Sequence, residues 1–154
     1  ALFEAAALPL TPEELDAQVL VRMIRQRRLV DDDYPLELIT VVDESALRRP
    51  IGGRNVMRAQ LNRLVEAAEL DRVTLQVLPA HVGARPALSG DFIVLSFDLL
   101  GLPDMAYAEN ALGSAQIEEE ALVTRASMVF DRLRSLALSP TDSVALIRKL
   151  AEQT

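Results

Sequence analysis

Two β-branched runs on either side of a helical pattern constrain the fold of this chain more than any other feature. Residues 36–42 and residues 73–77 are rich in Val, Leu, Ile and Thr, and runs of this kind favour strands. Between them, residues 55–70 carry apolar residues at helical spacing, among them Met57 and Leu61. Strands joined through a helix run parallel when they share a sheet. We therefore expect these two strands to be parallel if they pair.

A further helix is predicted near the start of the chain. Thr11, Pro12 and Glu14 match a capping signature, and the helix that follows extends to about residue 30. Its apolar residues form one broad stripe, made of Leu15, Val19, Leu20, Met23 and Ile24. Its last turns carry four arginines, Arg22, Arg25, Arg27 and Arg28. Their position complements the helix dipole. The alternative interpretation is a patch that binds an anion or a partner.

The second half of the chain contains two more strands and two more helices. Residues 92–97 form an apolar run typical of a central strand, and residues 105–109 form a short strand. The earlier strand over residues 73–77 alternates as a half-buried strand does. We expect the last two strands of the chain to pair antiparallel because a short loop joins them. Helices are predicted over residues 117–136 and from Pro140 onward. The predicted apolar face of the first of these consists of Leu122, Ala126, Val129, Phe130 and Leu133.

The order α-β-α-β-β-β-α-α predicts an α+β fold in which a small mixed four-stranded sheet is packed with amphipathic helices. With 154 residues, half of them hydrophobic, the chain is expected to form one domain, residues 1–154. Its net charge of −7 disfavours a nucleic-acid surface, because phosphate binding needs clustered positive charge. No apolar run approaches the roughly 20 residues of a bilayer span, so no membrane partner and a cytoplasmic location are expected.

Residues able to carry catalysis are few. The chain has no cysteine, which excludes disulfides and thiolate chemistry. His81 is the only histidine, and without paired histidine spacing it is interpreted as an exposed loop residue. No nucleophile elbow, phosphate-binding loop or dinucleotide fingerprint occurs. We therefore predict no enzyme activity, no cofactor and no metal. A hydrolase that uses Glu109 and Asp104 is the alternative, and no motif supports it.

The segment DESALRRPIGG, residues 43–53, has two interpretations. Gly52 and Gly53 precede a helix, so their amides, together with Arg48 and Arg49, provide groups suited to holding an anion. The structural interpretation is a strand-to-helix junction in which the glycines supply unusual dihedral angles and one of the acids pairs with an arginine. We favour the junction, and keep Arg48 and Arg49 as candidate ligand-binding residues.

A second candidate site lies at a strand end. Tyr107, Glu109 and Asn110 bring an aromatic hydroxyl, an acid and an amide together where a predicted strand finishes. Small-molecule sites use a few placed polar groups within an apolar wall, so these three residues are candidate ligand-binding residues. Local capping or pairing at the strand end is the structural alternative.

Six segments carry a resemblance to a known family: VVDESALRRPIGG, VMRAQLNRL, VTLQVLP, LSGDFIVLSF, YAEN and FDRLRSLALSPTDS. They occur in the family's order and at similar spacings. With them, the chain resembles the C-terminal domain of unknown function of actinobacterial Xre-type helix-turn-helix transcriptional regulators. The resemblance covers nearly the whole chain. In one departure, Arg85 and Pro86 follow Gly83-Ala84 where the family often carries a histidine, so a ligand contact there is not carried over.

The resemblance implies a regulatory domain, acting by sensing an effector or by dimerising, whose helix-turn-helix is expected upstream and is missing from this chain. The implied partners are DNA through that missing domain only, a small-molecule effector and a second copy of the chain. A homodimer is expected because paired half-sites in DNA favour two-fold symmetric proteins. The alternative is a protein-interaction module that binds a small partner protein encoded nearby, as in antitoxin-like pairs.

Overall fold

The computed structural model describes residues 11–33, 36–82, 91–97, 101–110 and 113–154. The chain divides into two compact units, each of which is considered by itself. The core unit comprises Ala1–Pro79 and Leu138–Thr154, and the sheet unit comprises Ala80–Ala137. Helices and strands occur together, which confirms the predicted α+β class. The described strands form two sheets, of two and three strands, so the prediction of one four-stranded sheet is wrong.

In chain order the elements are α1 (Pro12–Arg27), β1 (Leu38–Asp43), α2 (Glu44–Arg48), α3 (Arg54–Ala67), β2 (Val73–Leu78), β3 (Asp91–Phe97), β4 (Leu102–Asn110), β5 (Gly113–Ile117), α4 (Glu120–Leu136) and α5 (Pro140–Gln153). A single 3-10 turn over Arg28–Val30 extends α1. Among the residues that the structure describes, no helix has the length and apolar character needed to cross a bilayer.

β1 and β2 pair in parallel, as predicted, and Asp43 lies opposite Leu78 at the end of the register. α2 and α3 form the connection between them. β2 is buried more deeply than its half-buried pattern predicts, since Gln76 is only 8% exposed. Gln76 tolerates this burial because its Nε2 donates a hydrogen bond to the backbone oxygen of Leu138 at 2.9 Å.

The second edge of β2 is closed by the segment that leads into α5. The backbone N–H of Val77 donates to Ser143 Oγ at 2.9 Å, and the backbone N–H of Leu138 donates to the Val77 oxygen at 2.9 Å. The groups that a further strand would need are therefore occupied. A further strand therefore cannot pair with β2 at Val77.

Aliphatic side chains from α3, β2 and α5 form the core of this unit. Leu61, Val77 and Ile147 are each 0% exposed. The cluster is completed by Leu47, Met57, Leu75, Leu150 and Ala151. The predicted apolar face of α3 is confirmed, because Met57 and Leu61 are buried and Leu64, Val65 and Ala68 pack against the same cluster. Burial of each such side chain contributes about 1.5–3 kcal/mol.

α1 begins with the predicted capping box. Thr11 donates its backbone N–H to Glu14 Oε2 at 2.8 Å, and Glu14 donates its backbone N–H to Thr11 Oγ1 at 3.2 Å. None of the residues of α1 is buried. The apolar stripe predicted for this helix is therefore present but faces solvent.

The sheet unit contains β3, β4 and β5 as an antiparallel sheet in which β4 is central. The antiparallel pairing of β3 and β4 is confirmed. β3 is an edge strand, so its prediction as a central strand is wrong. Its apolar run occupies both faces of the sheet, and one face is open, since Ile93 is 52% exposed. β5 was not predicted, because Gly113–Ile117 contains only one β-branched residue.

α4 starts at Glu120 instead of at residue 117, because Ile117 belongs to β5. Its buried face also differs from the prediction at its start, where Val123 is 6% exposed and Leu122 is 43% exposed. Val123 is the buried residue of its first turn, and the helix packs against β3 and β4.

Candidate functional site

The 43–53 segment is a junction in which most residues have a local structural role. β1 ends at Asp43, whose Oδ1 accepts the backbone N–H of Ser45 at 2.7 Å and thereby caps α2. α2 is a single short helix over Glu44–Arg48, and its Leu47 enters the core. The interpretation as a strand-to-helix junction is therefore confirmed, with a short helix inserted that the sequence reasoning missed.

Arg48 uses its guanidinium within the same helix. Its Nε and Nη2 donate to Glu44 Oε1 at 2.8 and 2.5 Å. The Glu44 side chain is 12% exposed and the Arg48 side chain is 52% exposed. The arginine thus accompanies a nearly buried carboxylate, and pairing between an acid and an arginine of this segment is confirmed. A ligand that binds Arg48 has to compete with Glu44.

The Arg49 side chain, by contrast, is exposed and makes no hydrogen bond or ion pair within the described part of the chain, whereas the backbone oxygen of Arg49 accepts the Ile51 N–H at 2.8 Å. It follows α2 and precedes a turn in which Gly53 donates its backbone N–H to the oxygen of Pro50 at 3.0 Å. Gly52 and Gly53 have φ of 76° and 88°, conformations that favour glycine. The Gly53 amide is therefore used by the turn and does not face an anion. Of the proposed anion-binding groups, Arg49 keeps its charge available.

A buried polar cluster at the start of α5 was missed by the sequence reasoning. Ser143, 0% exposed, accepts the Val77 N–H through Oγ and lies 3.5 Å from the Leu138 oxygen, to which it donates. Gln76 donates to the same oxygen. Two signals point to the cluster in retrospect: a glutamine within an apolar strand and a serine just after a capping signature. The hydroxyl of Ser143 is engaged as both donor and acceptor, so its role here is structural.

A groove of about 360 Å³ lies between β2, the end of α3 and α5 in the core unit. Its wall is largely apolar and includes Leu75 and Val144. Arg148 Nη2 and Glu69 Oε1 form an ion pair of 3.2 Å at this groove, and both side chains are more than half exposed. The volume lies in the range of small-molecule sites, although the groove is open. None of the predicted ligand-binding residues lines it.

Tyr107, Glu109 and Asn110 lie at the end of the central strand β4. Tyr107 lies opposite Ile93 on one side and Gln116 on the other, and Glu109 lies opposite Asp91 and Ser114. Tyr107 is partly exposed and Glu109 is exposed. The backbone of Asn110 pairs with that of Gly113, whereas its side chain lies outside the described residues. These residues belong to the sheet unit, and Arg48 and Arg49 belong to the core unit.

Side-chain alternation places Tyr107 and Glu109 on the face opposite Ala106. Ala106 is 2% exposed, and α4 packs against β3 and β4, so we place α4 over the face that carries Ala106. The opposite face exposes apolar side chains, with Ile93 at 52% and Leu95 at 38%. We call the exposed side chains of Ile93, Leu95 and Tyr107 the outer face of the sheet unit. Tyr107 and Glu109 therefore belong to an open surface.

Asp104 and Glu109, the two carboxylates suggested for a hydrolase, do not lie on the same face of the sheet. Asp104 lines a groove of about 480 Å³ with residues of α4, among them Val123 and Thr124. Its Oδ2 accepts the hydroxyl of Ser96 at 3.1 Å. Glu109 lies on the outer face, opposite Asp91. The two carboxylates therefore do not form the facing pair that such a hydrolase requires.

The histidine is exposed in the turn after β2, as predicted. Within the described ranges, no group of three or more His, Cys, Asp or Glu side chains is arranged to hold a metal ion. The segment in which Arg85 and Pro86 depart from the family pattern lies outside the described residues.

Comparison with known proteins gives one match. Residues 1–149 match the family model described as "Domain of unknown function (DUF5753)". No curated protein and no solved structure is significantly similar to the chain. The matched range includes all the elements described above, apart from the last turn of α5.

Proposed function

Because the chain belongs to the family of domains of unknown function DUF5753, we propose that it is the regulatory domain of a DNA-binding transcriptional regulator. It acts by dimerising or by sensing an effector. The proposal draws on the six collinear segments that resemble the C-terminal domain of actinobacterial Xre-type helix-turn-helix regulators. Segments at the two ends of that series supply the Asp43 cap and the Ser143 hydroxyl of the core unit.

Helix α1 is the observation that carries the proposal. It precedes the core unit's parallel strands and begins with its own capping box, so it is a defined helix. It has no buried residue, and Leu20 and Ile24 are 59% and 51% exposed. The resemblance expects the DNA-binding helices upstream of this segment. An apolar helix at that position is suited to joining two copies of a regulator or to contacting its DNA-binding part.

The proposal is tested on the complete gene and its own promoter. The sequence upstream of Ala1 should encode a helix-turn-helix, and the full-length protein should bind DNA from its promoter region. Removing the domain described here should weaken that binding or abolish the transcriptional response in a reporter assay. An upstream region without a DNA-binding domain would refute the proposal, as would a response that is identical with and without this domain.

The side chains available to contact an effector are those that make no structural contacts. The Arg49 side chain has no hydrogen bond or ion pair within the described part of the chain, and the partly exposed Tyr107 belongs to the outer face of the sheet unit. We propose Arg49 as the anion-binding residue of the 43–53 segment, with Arg48 held by Glu44. Replacing Arg49 by Ala while retaining Arg48 should then reduce the response to an anionic effector and leave stability unchanged.

A second candidate function, the binding of a small partner protein, is favoured by the outer face of the sheet unit. Ile93 and Leu95 expose apolar surface on an edge strand, a type of surface that partner proteins cover. Co-expression with the product of the neighbouring gene tests this. The pair should co-purify, and Ile93→Glu should abolish co-purification, whereas Met128→Glu on α4 should not. Separate elution of the unmodified proteins would count against it.

A further inference from the structure

The exposed face of α1 is the largest apolar feature that the fold of the core unit does not use. Leu20, Met23 and Ile24 are 59%, 50% and 51% exposed, and Val19 is 45% exposed. At about 100° per residue these side chains fall on one half of the helix, together with Leu15. A helix of 16 residues that buries none of its side chains gains little from tertiary packing, and such helices are marginal in water. We therefore expect a binding partner to cover this face of α1.

Charge is distributed unevenly along the same face. Glu13 and Asp16 lie near its first turn, and Arg27 lies at its last turn. Glu13 and Arg27 are separated by about four turns, so they project from the same side of the helix. None of these three side chains makes a hydrogen bond or ion pair within the described part of the chain, whereas the Glu14 side chain is used in the capping box. The face thus has an acidic end, an apolar middle and a basic end.

We propose that α1 is the dimer interface of this protein, and that it packs antiparallel against α1 of a second copy. Antiparallel packing places Glu13 and Asp16 of each copy beside Arg27 of the other, with the apolar residues between the two charged ends. Parallel packing would instead place acid beside acid and arginine beside arginine. The antiparallel arrangement also satisfies two-fold symmetry, because each helix presents the same surface to the other. The inference rests on the dimerising form of the proposed function and names its partner and its surface.

The interface is short, at about 24 Å for a helix of this length, so the dimer is expected to dissociate on dilution. Sedimentation velocity of the 154-residue chain across a concentration series should show a monomer–dimer equilibrium. Leu20→Glu should raise the dissociation constant at least about tenfold, because it places two carboxylates in the apolar seam. Met128→Glu is the matched control: Met128 is also in a helix and is 68% exposed, and its replacement should change the constant less than about twofold. Circular dichroism of each variant establishes that the helices remain formed.

Charge reversal tests the orientation. Glu13→Arg and Arg27→Glu should each weaken the dimer about three- to tenfold, since each creates two like-charge contacts. The double variant should restore the dissociation constant to within about twofold of the original, and a mixture of the two single variants should form heterodimers. A loss of helix stability alone would not produce this recovery.

Each result of the sedimentation and charge-reversal experiments either supports or overturns the proposed α1 interface. A monomer at every concentration overturns it, as does a dimer that Leu20→Glu leaves intact or a double variant that stays weak. Monomeric behaviour would leave the regulatory proposal to the promoter experiment described above. Conversely, a dimer formed through α1 in a protein whose promoter response does not need the domain would refute the regulatory proposal and retain the interface.

Discussion

Replacing Ser143 by Ala tests the contact that covers the second edge of β2 at Val77. Ser143 and Val77 are both 0% exposed, and the hydrogen bond from the Val77 N–H to Ser143 Oγ is 2.9 Å long. The substitution removes the acceptor and leaves a buried N–H without its partner, which costs about 1–3 kcal/mol. The Leu138 oxygen keeps the hydrogen bond from Gln76, so it does not add to the loss. Alanine recovers about 0.5 kcal/mol through its higher helix propensity.

The net expectation is a loss of about 0.5–2.5 kcal/mol in the free energy of unfolding, measured by urea denaturation. Ser135→Ala is the control, because Ser135 is an exposed serine in α4 whose hydroxyl donates to the Arg132 oxygen. It gains the same helix propensity and should change stability by no more than about 0.5 kcal/mol. The difference between the two variants isolates the buried hydrogen bond from the propensity term.

Amide hydrogen exchange measured by NMR gives a residue-level check. The Val77 amide should exchange faster in Ser143→Ala. Amides of α3 that bond within the helix should change their exchange rates only as far as the change in global stability requires. If Ser143→Ala leaves both the unfolding free energy and the exchange of Val77 unchanged, the hydroxyl does not hold this strand edge. The structural role given to Ser143 would then be wrong.

Four further substitutions test the core and the 43–53 segment, with stability measured by chemical denaturation in each case. Leu61→Ala, at a side chain that is 0% exposed, should cost about 2–5 kcal/mol. Gly53→Ala should cost about 1–3 kcal/mol although nothing lies within 4 Å of the added Cβ, because φ is 88° and ψ is 167°; an unchanged stability would contradict this. Arg48→Ala should cost about 1 kcal/mol through Glu44, and Arg49→Ala less than about 0.5 kcal/mol; equal costs would refute the distinction between the two arginines.

The parts of the fold that could be predicted are those set by residues close together in the chain. The capping box of α1 joins residues three apart, and the cap of α5 does the same through Ser139 and Asp142. The parallel pairing of β1 and β2 follows from a helical connection between two β-branched runs. Each of these predictions depends on local chemistry or on a connection of known geometry, so tertiary packing had little opportunity to override it.

The parts that could not be predicted depend on distant contacts. The hydrogen bond from Val77 to Ser143 joins residues 66 apart, and nothing in the strand itself indicates that its second edge is covered. β5 contains glycine, serine, alanine and glutamine, and pairing with β4 overrides their weak strand preference. The buried face of α4 includes Val123 instead of Leu122, and its orientation depends on the packing of the helix against β3 and β4.

The candidate ligand residues illustrate a related limit. A pair of arginines beside two glycines has the composition of an anion site, yet Glu44 engages Arg48 and the turn uses the Gly53 amide. The sequence does contain the acid four residues before Arg48, at the spacing of a helical ion pair. That spacing brings the two side chains together only because Glu44–Arg48 forms the short helix α2. The prediction that an acid pairs with an arginine was therefore sound, while the partner became clear only from the helix.

The structural roles of residues in the 43–53 segment indicate which residues of this chain are available for binding. The residues that make the 43–53 segment easy to identify, Asp43, Glu44 and Gly53, are required by the cap, the ion pair and the turn. A chain that shares them shares the junction, and this says nothing about what the chain binds. Residues that are exposed and have no structural duty are the ones free to carry binding. Among the described residues, the apolar face of α1 is a set of this kind, and the charges at its two ends specify how a second copy would meet it.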